Sequence, residues 1–146
     1  TAMLDRLGVK SRDPDADVAL VNAAFRALAE GGEALRWEPF FFDWFGGETS
    51  TARALDGPRA DLYRTETFET FRRRLADFEP DRPERLADPM FQRPEPEELI
   101  VEEVEALWAP IAESDDWGPL TEKLGRIEAA RLAYALGQNG DKNAAP

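Results

Sequence analysis

Apolar side chains recur at helical spacing in two long segments of this sequence. In the first segment, intervals of three, four and three residues separate Val18, Val21, Phe25 and Leu28. In the second, the same intervals separate Phe68, Phe71, Leu75 and Phe78. Because an α-helix completes a turn about every 3.6 residues, each set lies on one helical face. The spacing predicts helices over 14–30 and 59–77, each burying its apolar face.

Residues that commonly begin or end helices stand at the ends of these segments. Asp13-Pro14 provides an N-cap acceptor and then proline at the first helical position. Gly31-Gly32 follows the first segment and Pro80 follows the second, and both residue types end helices. Residues 3–8 are typical of a last helical turn closed by glycine, which favours a piece of a longer protein.

Three further segments are predicted to be helical, and 50–57 is a polar connection with room for one helical turn. The aromatic run 40–45 favours helix over strand because its neighbours are helical. The next helix starts among the acidic residues 95–98 and is kinked or ended by Pro110 near Ala109. Its expected apolar side comprises Leu99, Ile100, Val101, Val104, Leu107 and Trp108. The last helix follows caps at 114–116 and is closed by Gly137. Its expected face comprises Leu120, Leu124, Ile127, Arg131 and Tyr134, with Leu132 and Leu136 beside it.

The segment 80–96 carries five prolines, a spacing that excludes a helix there. We expect an extended strap across the helices, held by Met90 and Phe91. Together the segments predict an all-α fold, a small orthogonal bundle of four to five helices with this long Pro-rich connecting loop. The predicted organisation is one helical domain over 1–137, followed by a frayed polar tail over 138–146.

The composition excludes several classes of site and partner. The sequence has no histidine and no cysteine, so a Ser-His-Asp triad, a cysteine nucleophile, a zinc site and ordinary haem ligation are excluded. A net charge of -12 argues against nucleic acid as a partner. No segment approaches the roughly 20 apolar residues that span a bilayer, and no signal sequence opens the chain, so we expect a cytoplasmic protein without a membrane partner. Arginine makes up most of the 18 basic residues, as in proteins from GC-rich bacterial genomes.

Acidic residues form two candidate cation sites. The densest cluster contains Glu95, Glu97, Glu98, Glu102, Glu103 and Glu105. Three of these, Glu98, Glu102 and Glu105, share a helical face and are able to hold Mg²⁺ or Ca²⁺, but a solvated face opposite Leu99, Val104 and Leu107 is favoured. The run Asp13, Asp15 and Asp17 resembles the start of a calcium loop. Its required glycine and twelfth-position glutamate are missing, so helix capping is the expected role.

Basic and aromatic residues give two more candidates. The run Arg72-Arg73-Arg74, with Arg64 and Tyr63 nearby, offers contacts to phosphate or an RNA backbone, although ion pairing on an outward helical arc is favoured. Asp43 lies between two aromatic residues and is expected to cap a helix or bond to backbone. The aromatic residues are expected to fill the core, with any exposed ones forming an interface. Phosphate-binding glycine motifs are absent, and no catalytic, cofactor-binding or metal-binding residue is assigned.

Two stretches of the chain carry a family resemblance. The first comprises residues 3–8, residues 17–28 and the run Phe41-Phe42-Asp43-Trp44-Phe45-Gly46-Gly47. The second is residues 99–113 followed by Asp115-Asp116-Trp117. The first resembles the C-terminal part of the selenoprotein-O-like family, and the second is similar to the terminal helices of its alphaproteobacterial members. The resemblance covers most of the chain, and its motifs are packing patterns.

This resemblance implies a kinase-like parent protein that binds ATP with Mg²⁺ and transfers AMP to protein Ser, Thr or Tyr. The family's nucleotide and metal ligands lie N-terminal to the region that is similar, so no catalytic residue is carried over. The cysteine or selenocysteine near the end of some members is also missing here. The chain would then be an inactive C-terminal helical piece whose partner is the rest of the parent chain. The alternative is a free-standing acidic helical module that binds a protein partner through an aromatic groove.

Overall fold

The computed structural model describes residues 2–134. The chain divides into two compact units, Thr1–Pro96 and Glu97–Pro146. The single domain over 1–137 stays a prediction. Leu136, Gly137 and the predicted frayed tail over 138–146 lie outside the described residues.

Both units are helical, which confirms the predicted all-α fold. The first contains α1 (Ala2–Leu7), α2 (Pro14–Gly31), α3 (Trp37–Trp44), α4 (Thr51–Asp56) and α5 (Glu66–Ala76). The second contains α6 (Val101–Ser114) and α7 (Gly118–Tyr134). Residues 2–134 thus hold seven α-helices rather than four or five, because the short segments α1 and α4 are also helical. Within this range the structure has no β-strand, and Val9 and Pro80 form an isolated bridge.

Helix α2 buries a face that overlaps the predicted one only in part, since Leu28 is buried and Val21 half-buried as predicted. Its buried residues are Leu20, Ala23, Ala24, Ala27 and Leu28. In contrast, Val18 and Phe25 are 59% and 46% exposed. The small alanine side chains let α5 pack closely on α2, since the distance between helices depends on the side chains at their contact. The spacing therefore located the helix, but the alanines decide which face is buried.

Aromatic rings from α3 and α5 fill the core of the first unit. The rings of Phe40 and Trp44 lie 5.3 and 5.7 Å from that of Phe71. Tyr63 lies 4.8 Å from Phe68 in the same cluster. The predicted apolar face is confirmed, because Phe68, Phe71 and Leu75 of α5 are buried, and so is Phe78, two residues after the helix. The favoured helix over 40–45 is present as part of α3.

Helix α5 begins at Glu66, later than the predicted start at Arg59. Thr65 is its N-cap, and the Thr65 hydroxyl accepts a hydrogen bond from the Phe68 amide. The preceding residues Ala60–Tyr63 form a separate 3-10 turn. Arg59 and Tyr63 therefore precede α5 and are not part of it. This matters for the site, because the geometry of α5 does not fix their positions.

The Pro-rich segment 80–96 contains two 3-10 helices where an extended strap was expected. They are Pro83–Ala87 and Pro89–Gln92, each with proline at its first position, where no N–H donor is needed. Met90 and Phe91 are buried. The Phe91 ring stacks on Phe45 with the centroids 5.0 Å apart.

In the second unit, α6 continues through Pro110 to Ser114. Of the two alternatives predicted at Pro110, an end near Ala109 is wrong and a kink stays a prediction. Its first residue is Val101, and the acidic residues at 95, 97 and 98 precede the helix. The caps predicted for α7 are present in part, since the Asp116 carboxylate accepts a hydrogen bond from the Gly118 amide.

The predicted apolar sides of α6 and α7 are largely uncovered. No residue of α6 is fully buried, and Leu99 and Val104 are exposed. On α7 the buried residues are Lys123, Ala130, Ala133 and Tyr134, whereas Leu124 and Ile127 are exposed. Helical spacing groups residues on one face, but a neighbouring element decides whether that face is covered.

Candidate functional site

A buried carboxylate, Asp43 on α3, is the centre of a polar cluster in the first unit. Its side chain is 6% exposed. Arg59 donates two hydrogen bonds to it, from Nε to Oδ2 at 2.6 Å and from Nη2 to Oδ1 at 2.9 Å. The Tyr63 hydroxyl donates a further hydrogen bond to Oδ2. The buried charge is thus balanced by an opposite charge and a neutral donor.

Arg59 also joins this cluster to the end of the Pro-rich segment. Its Nη1 lies 2.7 Å from Oε2 of Glu95, and its Nη2 donates to the Pro94 carbonyl at 3.1 Å. One guanidinium therefore holds α3 and residues 94–95 together. Asp43 supplies the buried anchor, and Glu95 supplies a contact at the surface.

The pKa values of the cluster favour a structural role. Burial alone would lower the pKa of Arg59, but hydrogen bonds to Asp43 and Glu95 and their charges outweigh burial and raise it. Burial raises the pKa of the Tyr63 hydroxyl, and the Asp43 charge raises it further. At neutral pH Arg59 is therefore a fixed cation and Tyr63 a fixed neutral donor. Neither has a pKa near the operating pH, which efficient proton transfer requires.

The expected partner of Asp43 was backbone or a helix end, and the structure corrects this. Arg59 and Tyr63 are 16 and 20 residues away in sequence, so no local pattern connects them to Asp43. The one available signal was an acidic residue inside a run of buried aromatic residues. A buried charge needs a partner, but the sequence does not say which one.

The arginine run on α5 has three different environments. Arg73 pairs with Glu69 one turn away, which is the ion pairing that the sequence favoured. Arg74 is exposed. Arg72 is half-buried, and no described residue accepts a hydrogen bond from its buried Nε. Arg72 and Arg73, together with Arg64 and Tyr63, line a cavity of about 430 Å³. The structure thus brings four of the five residues of this candidate to one place.

Part of the glutamate cluster is paired with a buried lysine, Lys123, which the sequence analysis did not identify. Lys123 on α7 is 2% exposed, and its ammonium contacts the carboxylates of Glu97 and Glu103 and donates to the Glu98 carbonyl. Nε of Arg126 lies 3.3 Å from Glu97. Burial would lower the pKa of Lys123, but its hydrogen bonds to the two carboxylates outweigh burial and raise it. Lys123 is therefore a charged structural group and not a nucleophile.

The structure does not bring Glu98, Glu102 and Glu105 together as a cation site. Glu102 and Glu105 are exposed, and Glu98 is half-buried. Within residues 2–134, no three acidic side chains are arranged to hold a metal ion. The expected solvated face is present at Glu102 and Glu105. The expectation that Leu99 and Val104 lie on a covered opposite side is wrong.

The capping role of the first acidic run is confirmed. Asp13 is the N-cap of α2, and its carboxylate accepts a hydrogen bond from the Ala16 amide at 2.9 Å. Asp17 accepts hydrogen bonds from the Ser11 hydroxyl and the Arg12 amide, which lower the pKa of its carboxyl. Asp15 lies in the first turn, where the helix dipole favours negative charge.

Large apolar side chains are exposed on both units. An apolar stripe on α6, formed by Val101, Val104 and Trp108, follows helical spacing and is 46–72% exposed. In the first unit, the exposed rings of Phe25 and Trp37 meet edge to face with centroids 5.5 Å apart. They border a cavity of about 380 Å³ that Leu28 and Leu35 also line. Exposed apolar groups of this kind mark contact surfaces.

The helices within residues 2–134 are each too short or too polar to cross a membrane. No protein-family model matches the chain, and no curated protein or solved structure was found to be significantly similar to it.

Proposed function

We propose that this chain is the C-terminal helical region of a selenoprotein-O-like protein adenylyltransferase. Under this proposal it has no activity by itself, because the residues that bind ATP and Mg²⁺ belong to the preceding part of the parent protein. The parent protein would be bacterial and cytoplasmic, and it would transfer AMP from ATP to protein hydroxyls. The support is the resemblance to that family, which is carried by residues 3–8, 17–28, 41–47, 99–113 and 115–117.

The observation that carries this proposal is the apolar stripe of α6. Val101, Val104 and Trp108 follow one another along the helix and are all exposed. A soluble helix normally turns such a face toward a packing partner, since each buried large apolar side chain contributes about 1.5–3 kcal/mol. We assign this partner to the preceding, kinase-like part of the parent chain. Glu102 and Glu105 lie beside the stripe, so the covering surface is expected to carry arginine or lysine at its edge.

A second candidate function is a free-standing acidic module that binds another protein. The observation that favours it is the edge-to-face pair of Phe25 and Trp37, which borders an open apolar cavity. Aromatic anchors of this kind are enriched at the centres of protein interfaces. The core of the first unit is also filled by its own side chains, as a free-standing module requires.

The natural reading frame decides between the two candidates, and an assay then tests the first. We expect a kinase-like region with a Gly-rich loop upstream, and a parent protein that transfers labelled AMP to protein when ATP and Mg²⁺ are present. Val104→Asp in the parent should reduce this transfer, because a charge would face the covering surface. Glu122→Gln, an exposed change on α7, is the matched control and should leave it intact.

Two results would contradict these functions. A reading frame without a nucleotide-binding region removes the adenylyltransferase and leaves the free-standing module. Heat stabilisation of the 146-residue chain by ATP would contradict both, because neither places a nucleotide site within it.

A further inference from the structure

The cavity beside α5 concentrates positive charge in an acidic protein. Three arginines line it, Arg64, Arg72 and Arg73. Two carboxylates, Glu48 and Glu69, also line it. The cavity wall therefore carries a net positive charge, whereas the whole chain has a net charge of -12. Such a local reversal of sign attracts an anion to this position.

The three arginines differ in how much of their charge and how many of their N–H donors are already paired with protein groups. Arg73 is paired with Glu69, so its charge is largely balanced. Arg64 donates one hydrogen bond, from Nη2 to the Leu55 carbonyl at 3.2 Å, and an arginine has five N–H donors. Arg72 has a buried Nε with no acceptor among residues 2–134. Arg72 thus has donor capacity that the surrounding protein does not use.

A buried donor without an acceptor is unfavourable unless something else satisfies it. Native proteins leave few such groups, and a bound ion is one of the explanations for those that remain. Arg72 lines the cavity, and its guanidinium is a planar fork whose geometry matches two oxygens of a phosphate. Thr51 also lines the cavity, and its hydroxyl is a neutral donor. Arg64, Arg72 and Thr51 together form a donor set for a phosphate dianion.

We propose that this cavity binds a phosphate dianion, either free or as the ester of a small molecule, with Arg72 as the principal ligand. The volume of about 430 Å³ is within the range of small-molecule pockets. The net charge of -12 makes a long nucleic acid an unfavourable ligand. This site lies within the first unit and does not depend on the adenylyltransferase proposal.

The test follows the Arg72 Nε–H signal by NMR during titration with inorganic phosphate or glycerol 3-phosphate, against sodium chloride of equal ionic strength. We expect a saturable shift with phosphate and none with chloride. Arg72→Ala should weaken binding about tenfold or more, because a charge-assisted, two-pronged contact is lost. In Arg72→Ala and Arg72→Lys, binding is followed through the backbone amides of α5. Arg72→Lys should weaken it as well, because lysine keeps the charge but lacks the planar fork.

Arg74→Ala is the matched control, because Arg74 is on the same helix and does not line this cavity. It removes the same charge and should leave the phosphate affinity unchanged. Equal weakening by both alanine variants would overturn the proposal, since it would show only a general effect of charge. Absence of saturation with both ligands at about 10 mM would also overturn it. Tighter binding of glycerol 3-phosphate identifies an ester as the ligand, and equal binding identifies free phosphate.

Discussion

Arg59 donates two hydrogen bonds to the buried carboxylate of Asp43, and the same guanidinium contacts Glu95 at the surface. Both partners of the inner pair are at most 10% exposed, so solvent screens their charges only slightly. Glu95 is 56% exposed, and water competes for its contact. The two ion pairs of one arginine should therefore differ strongly in their contribution to stability.

Arg59→Ala is predicted to destabilise the first unit by about 3–5 kcal/mol, because it leaves the Asp43 charge buried without its cation. Glu95→Ala is the control and should cost about 1 kcal/mol or less, as exposed pairs do. Urea unfolding followed by circular dichroism measures both. Equal losses would contradict the distinction between the buried and the exposed pair.

Phe71→Ala should destabilise the first unit by about 3–5 kcal/mol, because the ring is fully buried among Phe40, Trp44 and Phe68. Arg73→Ala, two residues along the same helix, should cost under about 0.5 kcal/mol. The Arg73 side chain is 74% exposed, and its ion pair with Glu69 is exposed as well. Denaturant melts of the two variants check the assignment of the α5 faces, and similar midpoints would refute it.

Gly8→Ala should destabilise the fold by about 2 kcal/mol or more. Gly8 has φ +64, where a side chain costs roughly 1–2 kcal/mol. A Cβ there would also lie 2.7 Å from the backbone nitrogen of Gly46. Gly125→Ala on α7 should instead stabilise the folded state. Its Cβ would meet no neighbouring atom, and alanine favours helix over glycine by about 0.8–1 kcal/mol. Thermal melts distinguish the two, and a harmless Gly8→Ala would disprove the close approach.

Lys123 should make the second unit lose stability at alkaline pH. Its pKa is raised above the ordinary 10.5 in the folded chain, so the folded state holds this proton more tightly than the unfolded state. The stabilisation is complete below the unfolded pKa and is lost as the pH rises through the folded pKa. Stability measured by urea from pH 9 to 12 should fall, and Lys123→Met should reduce the slope.

The pKa of the Tyr63 hydroxyl is raised as well, so Tyr63 also makes stability fall at alkaline pH and is the necessary reference for this experiment. Tyr63→Phe removes the Tyr63 contribution from the first unit, where the hydrogen bond to Glu79 also raises the pKa of Lys10, and should leave the alkaline transition of the second unit in place. An unchanged slope in Lys123→Met would show that its ion pairs with Glu97 and Glu103 do not stabilise the folded state.

Local chemistry in the sequence was sufficient for the helices and several of their ends. Asp13-Pro14 begins α2 as predicted, and the predicted four-residue apolar face, which extends two residues beyond α5, is buried in full. These features depend on neighbours within about four residues, which the sequence displays directly. The same is true of the capping role of Asp13.

Which faces are covered, and which charges meet, was decided only by the tertiary structure. Spacing grouped Val18 and Phe25 with buried positions, but both are exposed, and three of the five buried residues of α2 are alanines. Arg59 reaches Asp43 across 16 residues, and Lys123 reaches Glu97 across 26. Periodicity carries no information about which surface a helix meets, because that depends on packing between segments far apart in the chain. The helices were therefore determined locally, while the buried ion pairs, the arginine-lined cavity and the uncovered stripe of α6 were determined by the packing.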